Sequence, residues 1–354
     1  MSHSAGQRAS RFEVMRDALT RTRMVLDDVP APEDGQVVAR VDGFGFTANN
    51  ISYAVFGDLL GYWQFFPAEN GWGQIPTWGF AEVTASAHAE VAVGTRLFGY
   101  VPMASHLVLT PGSVNTERIV DASPHRSALP AAYNTYRLTA ADPLYDPERE
   151  DVQMLLWPLF FTGFVIDRFL ASNHLFGADT VVLSSASSKT AIATAHCLAG
   201  RDIEVVGLTS PGRIEWVSGV PGYDRVVGYS DVDALDPGPA VFLDFAGDAA
   251  VRSAVHHRFG HSLTHSATIG GTHWEQGGPA EDLPGPTPEF FFAPDHWGPD
   301  AEVPLASAWT SFVAHLGDWF TIEHRSGADA VEATYRATLA GEADPSVGTV
   351  VRLA

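Results

Sequence analysis

The sequence is poor in cysteine and in lysine. Cys197 is the only cysteine in 354 residues, so no disulfide can form within one chain, and a zinc site built from several cysteines is excluded. Such usage is typical of a reducing compartment, and we expect a cytoplasmic protein. Lys189 is the only lysine beside twenty arginines.

Other absences narrow the class of protein further. Residues 1–10 are polar and lack the apolar core of a secretion signal. The apolar stretch 154–165 is shorter than the roughly 18 residues that span a bilayer. The formal net charge of −21 repels nucleic acid and anionic membranes, so we expect neither as a partner. The hydrophobic content of 45% is that of a folded protein, and the length of 354 residues predicts two domains.

The first part of the chain favours β-structure. Short β-like segments alternate with glycine and proline, which is typical of a small barrel or sandwich. We predict strands over 35–45, 81–86, 95–101 and 106–109. The polar segment 142–151, which contains two prolines, predicts a linker.

Strands alternate with helices after this linker. The pattern predicts a parallel sheet with right-handed crossovers, a doubly wound architecture that binds ligands at the carboxyl ends of its strands. The predicted strands of this sheet are 181–183, 204–208, 225–229, 240–245 and 262–270, and a separate strand, 348–353, ends the chain. The predicted helices are 155–173, 189–198, 214–217, 249–259, 309–320 and 328–339.

Lys189 lies in the turn between the first strand and the next helix of this region. Hydroxyl residues fill the turn, and an alanine-rich stretch follows it. The unpaired N–H groups and the dipole of a helix start favour an anion such as phosphate. The hydroxyls of Ser187, Ser188 and Thr190 and the ammonium of Lys189 would add donors there. The alternative is a capped helix with an incidental lysine.

The order of these segments resembles the medium-chain dehydrogenase/reductase superfamily, in its zinc-independent quinone and enoyl reductase branch. The resemblance covers residues 30–354. It depends on the segments 35–41, 47–57, 222–229 and 348–351 and on Thr162. A closer resemblance is to an uncharacterised bacterial and fungal offshoot of that superfamily. It depends on the segments 62–67, 103–106, 184–191 and 272–274.

The resemblance implies an α/β fold with two domains. A GroES-like β domain would comprise residues 1–148 and 303–354. A doubly wound, Rossmann-type nucleotide-binding domain would comprise residues 149–302. It also implies a homodimer.

The turn departs from the pattern of the superfamily, which often reads Ser-Gly-Ala-Ser-Gly-Gly-Val-Gly. Ser185, Ser188 and Ala191 replace all three fingerprint glycines. Glycine at these positions permits positive φ and a close approach of the pyrophosphate. Serine and lysine could instead contact the phosphates directly. Binding of a dinucleotide and loss of the cofactor therefore both remain open.

The residues after the second strand of this domain favour NADP over NAD. NAD sites use an acidic residue there for the ribose hydroxyl, whereas this chain has Thr209, Ser210 and Arg213, which suit a 2′-phosphate. The resemblance adds four residues to the predicted cofactor site, namely Thr162, Ser185, Tyr229 and Gly247. Alternatively, Arg213 is a solvated cation and Tyr229 is a half-buried strand residue.

The resemblance places the segment from Asn49 beneath the nicotinamide. Asn50 and Tyr53 are therefore predicted catalytic residues, with Tyr53 as the proton donor. Tyr62 and His273, the latter after the strand 262–270, are further candidates. Alternatively, the aromatic run at Tyr62 packs at a domain boundary and His273 caps a strand. We expect no metal site, because nothing in the sequence requires its histidines to lie close together as ligands of one ion.

The first hypothesis is NADPH-dependent reduction of an activated C=C or C=O bond in a small apolar or aromatic substrate, without zinc. The second is a cofactor-free lyase or hydrolase that acts on a ketone. In that case the serine and lysine turn would hold a substrate anion, and His273 or Tyr53 would perform acid–base chemistry. The third is a non-catalytic ligand-binding protein. Fold alone does not choose among them.

Overall fold

A computed structural model describes residues 8–270, 283–297 and 302–353. The chain divides into two compact units. Unit 1 comprises Met1–Leu155 with Thr321–Ala354, and unit 2 comprises Leu156–Phe320. The boundaries expected from the sequence lay at 148/149 and 302/303.

The strands are numbered in chain order. They are β1 (Arg8–Met15), β2 (Ala18–Asp28), β3 (Val37–Phe46), β4 (Trp72–Gly73), β5 (Pro76–Ser86), β6 (Arg96–Pro102), β7 (His106–Leu109), β8 (Pro111–Val114), β9 (Arg118–Asp121), β10 (Thr135–Leu138), β11 (Thr180–Leu183), β12 (Glu204–Thr209), β13 (Arg225–Gly228), β14 (Ala240–Asp244), β15 (Leu263–Thr268), β16 (Glu289–Phe290), β17 (Thr321–Ser326) and β18 (Val347–Arg352).

The α-helices follow the same order. They are α1 (Ala48–Val55), α2 (Ala131–Asn134), α3 (Glu150–Ser172), α4 (Lys189–Leu198), α5 (Ile214–Ser218), α6 (Ala249–Phe259), α7 (Glu302–Ala314) and α8 (Ala328–Leu339).

Unit 1 is built on a nine-stranded sheet in the order β17-β18-β3-β5-β6-β10-β9-β8, with β7 also paired to β3. Its pairs are antiparallel except for β17 with β18. Strand β3 is central because its apolar residues are buried and it pairs with three strands. Gly45 is required there, since a Cβ atom would lie 2.6 Å from the carbonyl oxygen of Met154. A separate sheet, β2-β1-β4, contains a hairpin that the sequence did not predict.

Unit 2 contains a six-stranded sheet in the order β13-β12-β11-β14-β15-β16, and all of its pairs are parallel. In order of appearance within the unit this is 3-2-1-4-5-6, the doubly wound arrangement. The apolar residues of β11 are fully buried, as expected for a central strand covered on both faces. The order reverses between β11 and β14, so the carboxyl ends of these two strands mark the ligand-binding edge.

Helix α3 corrects the expectation that no apolar segment of the chain is long enough to span a bilayer. It has 23 residues and is long and apolar enough to cross a membrane, and 67% of its most apolar window is buried. A mostly buried core helix passes the same test, so this length is weak evidence for a membrane. The helix also begins inside the segment predicted to be a linker, 142–151.

Helix α7 lies earlier in the chain than predicted. The sequence indicated a helix over 309–320, whereas α7 ends at Ala314 and a short 3₁₀ turn covers Gly317–Trp319. Gly317 has φ of +48°, which lies in the left-handed region and is incompatible with a continuing α-helix.

Candidate functional site

A buried carboxylate joins the turns after β11 and β14. The Ser184 hydroxyl donates to Oδ1 of Asp244 at 2.7 Å and accepts the N–H groups of Phe245 and Ala246, both at 2.9 Å. The same carboxylate oxygen accepts the N–H groups of Ala246 and Gly247 at 3.1 and 3.0 Å. Its other oxygen lies 3.2 Å from Nη1 of Arg252. This network fixes the backbone at the edge where the strand order reverses.

Ser185 has the backbone conformation that a glycine would have at this position. Its φ is +49°, although serine rarely adopts positive φ. The Ser185 N–H donates to the hydroxyl of Tyr229 at 3.1 Å, and its carbonyl accepts the Ser188 N–H at 2.7 Å. The turn therefore keeps a left-handed first residue without the glycine.

Tyr229 is thereby placed against the turn. Burial raises its pKa to about 12, so its hydroxyl is neutral at physiological pH. The sequence placed Tyr229 in the cofactor site, and its contact with Ser185 brings the two predicted residues together.

Helix α4 starts directly after the turn. Ser188 is its N-cap, and the Ser188 hydroxyl accepts the N–H of Ala191 at 3.3 Å. Ser187, Lys189 and Thr190 are half-buried beside it. The ammonium of Lys189 lies 5.5 Å from the centroid of the Phe320 ring, within the range of a cation–π contact.

The residues predicted to bind the 2′-phosphate lie at and after the end of β12. Thr209 is buried, Ser210 is exposed, and Arg213 is half-buried in the short 3₁₀ turn Pro211–Arg213. Strand β12 pairs with β11, so these residues follow the strand adjacent to the one that leads into the turn.

The two remaining predicted cofactor residues have structural contacts. Gly247 has φ of +71°, and its N–H is bound by Asp244, so it belongs to the network described above. Thr162 is half-buried on α3, and its hydroxyl donates to the carbonyl of Pro158 at 3.1 Å.

The residues of the turn fit the phosphates of a dinucleotide. The left-handed backbone is present at Ser185, and Ala191 is fully buried in the core of unit 2, so its methyl group is accommodated. Serine and threonine hydroxyls, a helix N-terminus and one ammonium form a donor set that matches a phosphate.

Asn50 holds the start of α1. Its Oδ1 accepts the Thr47 N–H at 2.8 Å, and its Nδ2 donates to the carbonyl of Pro76 at 3.0 Å. Both ends of the buried amide are thus engaged. The structure gives Asn50 a positioning role for α1 and for the tyrosine that α1 carries.

Tyr53 and Tyr62 lie in one aromatic cluster of unit 1. Their ring centroids are 4.5 Å apart. Tyr100 lies 5.8 Å from Tyr53 and stacks on Tyr133 at 4.8 Å. We call this set the tyrosine cluster, and its members are Tyr53, Tyr62, Phe65, Trp78, Tyr100 and Tyr133.

The phenols of this cluster hold their protons at neutral pH. Burial raises the pKa of Tyr53, although Trp78, Asn49 and Tyr100 each lower it by a smaller amount. Burial and mutual repulsion also raise the pKa values of Tyr62, Tyr100 and Tyr133. Each phenol can therefore donate a hydrogen bond or a proton to a bound molecule.

His273 lies outside the described residues. Within the described parts of the chain, no group of three or more His, Cys, Asp or Glu side chains is arranged to hold a metal ion. The absence of zinc remains a prediction from the sequence.

Sequence reasoning missed Asp244 and Tyr100. Asp244 had a usable signal, because an acidic residue that ends the apolar run 240–243 stands where the ligand edge is expected. Tyr100 had none, since only the pairing of β5 with β6 brings it beside Trp78.

The chain shares its fold with solved oxidoreductase structures at low sequence identity. CurA from Vibrio vulnificus in complex with NADPH is 14% identical with a TM-score of 0.64, over 98% of this chain and 99% of that one. A putative NADPH:quinone reductase from Mesorhizobium loti is 12% identical with a TM-score of 0.63, over 99% and 100% of the two chains. The yhdH oxidoreductase from Salmonella enterica in complex with NADP is 15% identical with a TM-score of 0.54, over 98% and 100%. These likenesses confirm the predicted fold class, a GroES-like β domain with a Rossmann-type domain.

A search of the curated proteins gives no match to this chain. One family model matches residues 44–344, which is most of the sequence. It also confirms the predicted resemblance to an offshoot without an assigned reaction. The chain belongs to the family described as "Protein of unknown function (DUF2855)".

Proposed function

We propose that the protein is an NADPH-dependent reductase of an activated C=C or C=O bond in a small apolar or aromatic substrate, and that it acts without zinc. The observation that carries the proposal is the turn after β11, where Ser185 keeps the left-handed backbone of a dinucleotide fingerprint without its glycines. The structures that share the fold include complexes with NADPH and with NADP.

The residues of unit 2 would hold the cofactor by its phosphates. Ser187, Ser188 and Lys189 would donate to the pyrophosphate at the start of α4. Arg213 and Ser210 would receive the 2′-phosphate, since no carboxylate occupies that segment. Bound NADPH would supply the hydride.

The residues of unit 1 would supply orientation and a proton. Tyr53 is held by α1, and its buried hydroxyl is protonated at neutral pH, as a general acid requires. Asn50 fixes the start of that helix through Thr47 and Pro76.

The proposal also includes a homodimer in the cytoplasm with a small-molecule substrate. The net charge of −21 supports the exclusion of nucleic acid and anionic membrane as partners.

Calorimetric titration with NADPH and with NADH tests the assignment. We expect NADPH to bind more tightly. Lys189→Ala should weaken the binding of both nucleotides by about tenfold to a hundredfold, because it removes a charge-assisted hydrogen bond. Arg213→Ala should weaken NADPH and leave NADH nearly unchanged.

Arg168→Ala is the matched control. This arginine is exposed on α3, and its substitution removes the same charge. It should leave both affinities unaltered. A preference for NADH would overturn the 2′-phosphate assignment. Failure of both nucleotides to bind would favour the cofactor-free enzyme instead.

A further inference from the structure

Two buried hydrogen-bond donors of the tyrosine cluster make no hydrogen bond of normal geometry. The indole Nε1 of Trp78 and the hydroxyl of Tyr100 have no hydrogen-bond partner among the described residues. Tyr100 is fully buried. Buried polar groups of native proteins are nearly always paired, so an unpaired one requires an explanation.

The pairing of two adjacent strands places the two donors side by side. Trp78 on β5 and Tyr100 on β6 are directly opposite in the antiparallel register, and their ring centroids are 5.3 Å apart. Residues in such a pair project to the same face of a sheet. Both groups lie close enough to the hydroxyl of Tyr53 for weak hydrogen bonding to lower its pKa, although neither makes a hydrogen bond of normal geometry with it. The polar atoms of all three side chains therefore gather in one place.

Another buried tyrosine of the same sheet has a fully hydrogen-bonded hydroxyl. Tyr136 on β10 is also fully buried. Its hydroxyl donates to the carbonyl of Tyr100 at 2.6 Å and accepts from Nη1 of Arg126 at 2.8 Å. Tyr100 has no equivalent arrangement for its own hydroxyl.

The chemistry of the cluster selects an uncharged acceptor. Its six members are aromatic, and none carries a charge while the phenols are protonated. A carboxylate would lose its hydration there without gaining a free cation, since Arg126, whose guanidinium lies over the Phe65 ring, is already paired with Asp121. A carbonyl oxygen, by contrast, accepts two hydrogen bonds and needs no counter-charge.

We propose that Trp78 and Tyr100 form a donor pair for the oxygen of an uncharged carbonyl substrate, such as an aryl ketone, an enone or a quinone. The pair would hold the oxygen and stabilise the negative charge that develops on it during reduction. This inference rests on the proposed reductase function, since it names the substrate class of the same activity.

The binding of two probes to the full-length protein without nucleotide tests the donor pair. Acetophenone carries a carbonyl oxygen, and α-methylstyrene has nearly the same shape without it. We expect Trp78→Phe and Tyr100→Phe each to weaken acetophenone by roughly 5- to 10-fold, the effect of one hydrogen bond, and to leave α-methylstyrene unchanged. The infrared carbonyl stretch of bound ¹³C-labelled acetophenone should lie at a lower frequency in the unmodified protein than in either variant.

Tyr335→Phe is the matched control for binding. This buried tyrosine of unit 1 donates to the carbonyl of Leu19 at 2.8 Å and is not a member of the cluster. Its variant should bind acetophenone normally. The melting temperature provides a second control. Tyr136→Phe should lower it clearly, whereas Tyr100→Phe should lower it much less, because the Tyr100 hydroxyl has no well-formed hydrogen bond to the protein to lose.

Three results would overturn the inference. They are equal weakening of both probes by the variants, an unshifted carbonyl stretch, and a melting temperature of Tyr100→Phe as low as that of Tyr136→Phe. Because these measurements need no nucleotide, they are independent of the proposed cofactor. If the protein binds acetophenone selectively but does not bind NADPH, the donor pair is supported and the reductase function is rejected. If it binds NADPH normally but does not distinguish acetophenone from α-methylstyrene, the donor pair is rejected and the reductase function stands.

Discussion

Ser185 shows how one residue preserves a backbone that usually requires glycine. Its φ of +49° is disfavoured for any residue with a Cβ atom. Hydrogen bonds from its N–H to Tyr229 and from the Ser188 N–H to its carbonyl hold the conformation. Such strain is retained where surrounding contacts over-determine the backbone, and it occurs often at functional sites.

The strain at Ser185 predicts an inverted order of alanine and glycine variants. Both changes remove the hydroxyl, but only Ser185→Ala keeps the Cβ atom. At positive φ the glycine variant should be the more stable by about 1 kcal/mol. At Ser187, which does not have positive φ, the alanine variant should be the more stable by roughly 0.5–1 kcal/mol. Urea unfolding of the four variants measures both differences, and the same order at the two positions would show that Ser185 is unstrained.

At the scale of elements, local signals predicted most of unit 2. Helices α4 and α6 were placed to the residue, because each follows a capping residue and lies between buried strands. The hairpin of β1 and β2 was not predicted. Its buried Glu13 pairs with Arg11 and Arg23 at 2.7 and 2.5 Å. In the sequence these charged residues interrupt the apolar pattern that would predict a strand. Within the tyrosine cluster, Tyr53 and Tyr62 were predicted as catalytic residues. Their convergence with Tyr100 and Tyr133 was not predicted, since these two come from distant segments.

Gly163 of α3 shows an element-level constraint that the sequence does not reveal. A Cβ atom there would lie 2.7 Å from the backbone nitrogen of Thr194 and 2.9 Å from the carbonyl carbon of Ala193. Both atoms belong to the backbone of α4, which cannot yield as a flexible side chain would. Close packing of α3 on α4 therefore requires glycine.

Gly163→Ala should destabilise the protein by about 1–3 kcal/mol, even though alanine is the better helix former by roughly 1 kcal/mol. Gly238→Ala is the control, because nothing lies within 4 Å of its Cβ position and its φ is not positive. The control should change the free energy of unfolding little or raise it slightly. Urea denaturation followed by circular dichroism gives both values. Equal stability of the two variants would mean that α3 and α4 separate freely at this point.

At the scale of the whole molecule, arginine supplies nearly all of the positively charged side chains of an acidic protein. The net charge is −21, and the buried carboxylates of Glu13, Asp121 and Asp244 each pair with an arginine. The planar guanidinium binds a carboxylate through two parallel hydrogen bonds and stays charged. The same preference makes Lys189 chemically distinct within the chain.

All nine tyrosines have a raised pKa, which predicts cooperative unfolding in alkali. Burial is the largest cause in each case. An unfolded phenol releases its proton near pH 10, whereas the folded phenols retain theirs, with Tyr229 at about 12. The unfolded state therefore binds fewer protons above pH 10, so stability that is complete below that pH falls as the pH rises.

We expect phenolate absorbance at 295 nm to remain low in the folded protein at pH 10 and then to rise in one step together with loss of the circular dichroism signal. The protein unfolded in guanidinium should titrate gradually around pH 10. Tyr145, the least buried of the nine, is expected to ionise first, and Tyr145→Phe should remove any early absorbance without moving the cooperative step. A gradual rise of the full phenolate signal near pH 10, with the circular dichroism intact, would show that these hydroxyls are open to solvent and would remove the basis for a buried donor site at the tyrosine cluster.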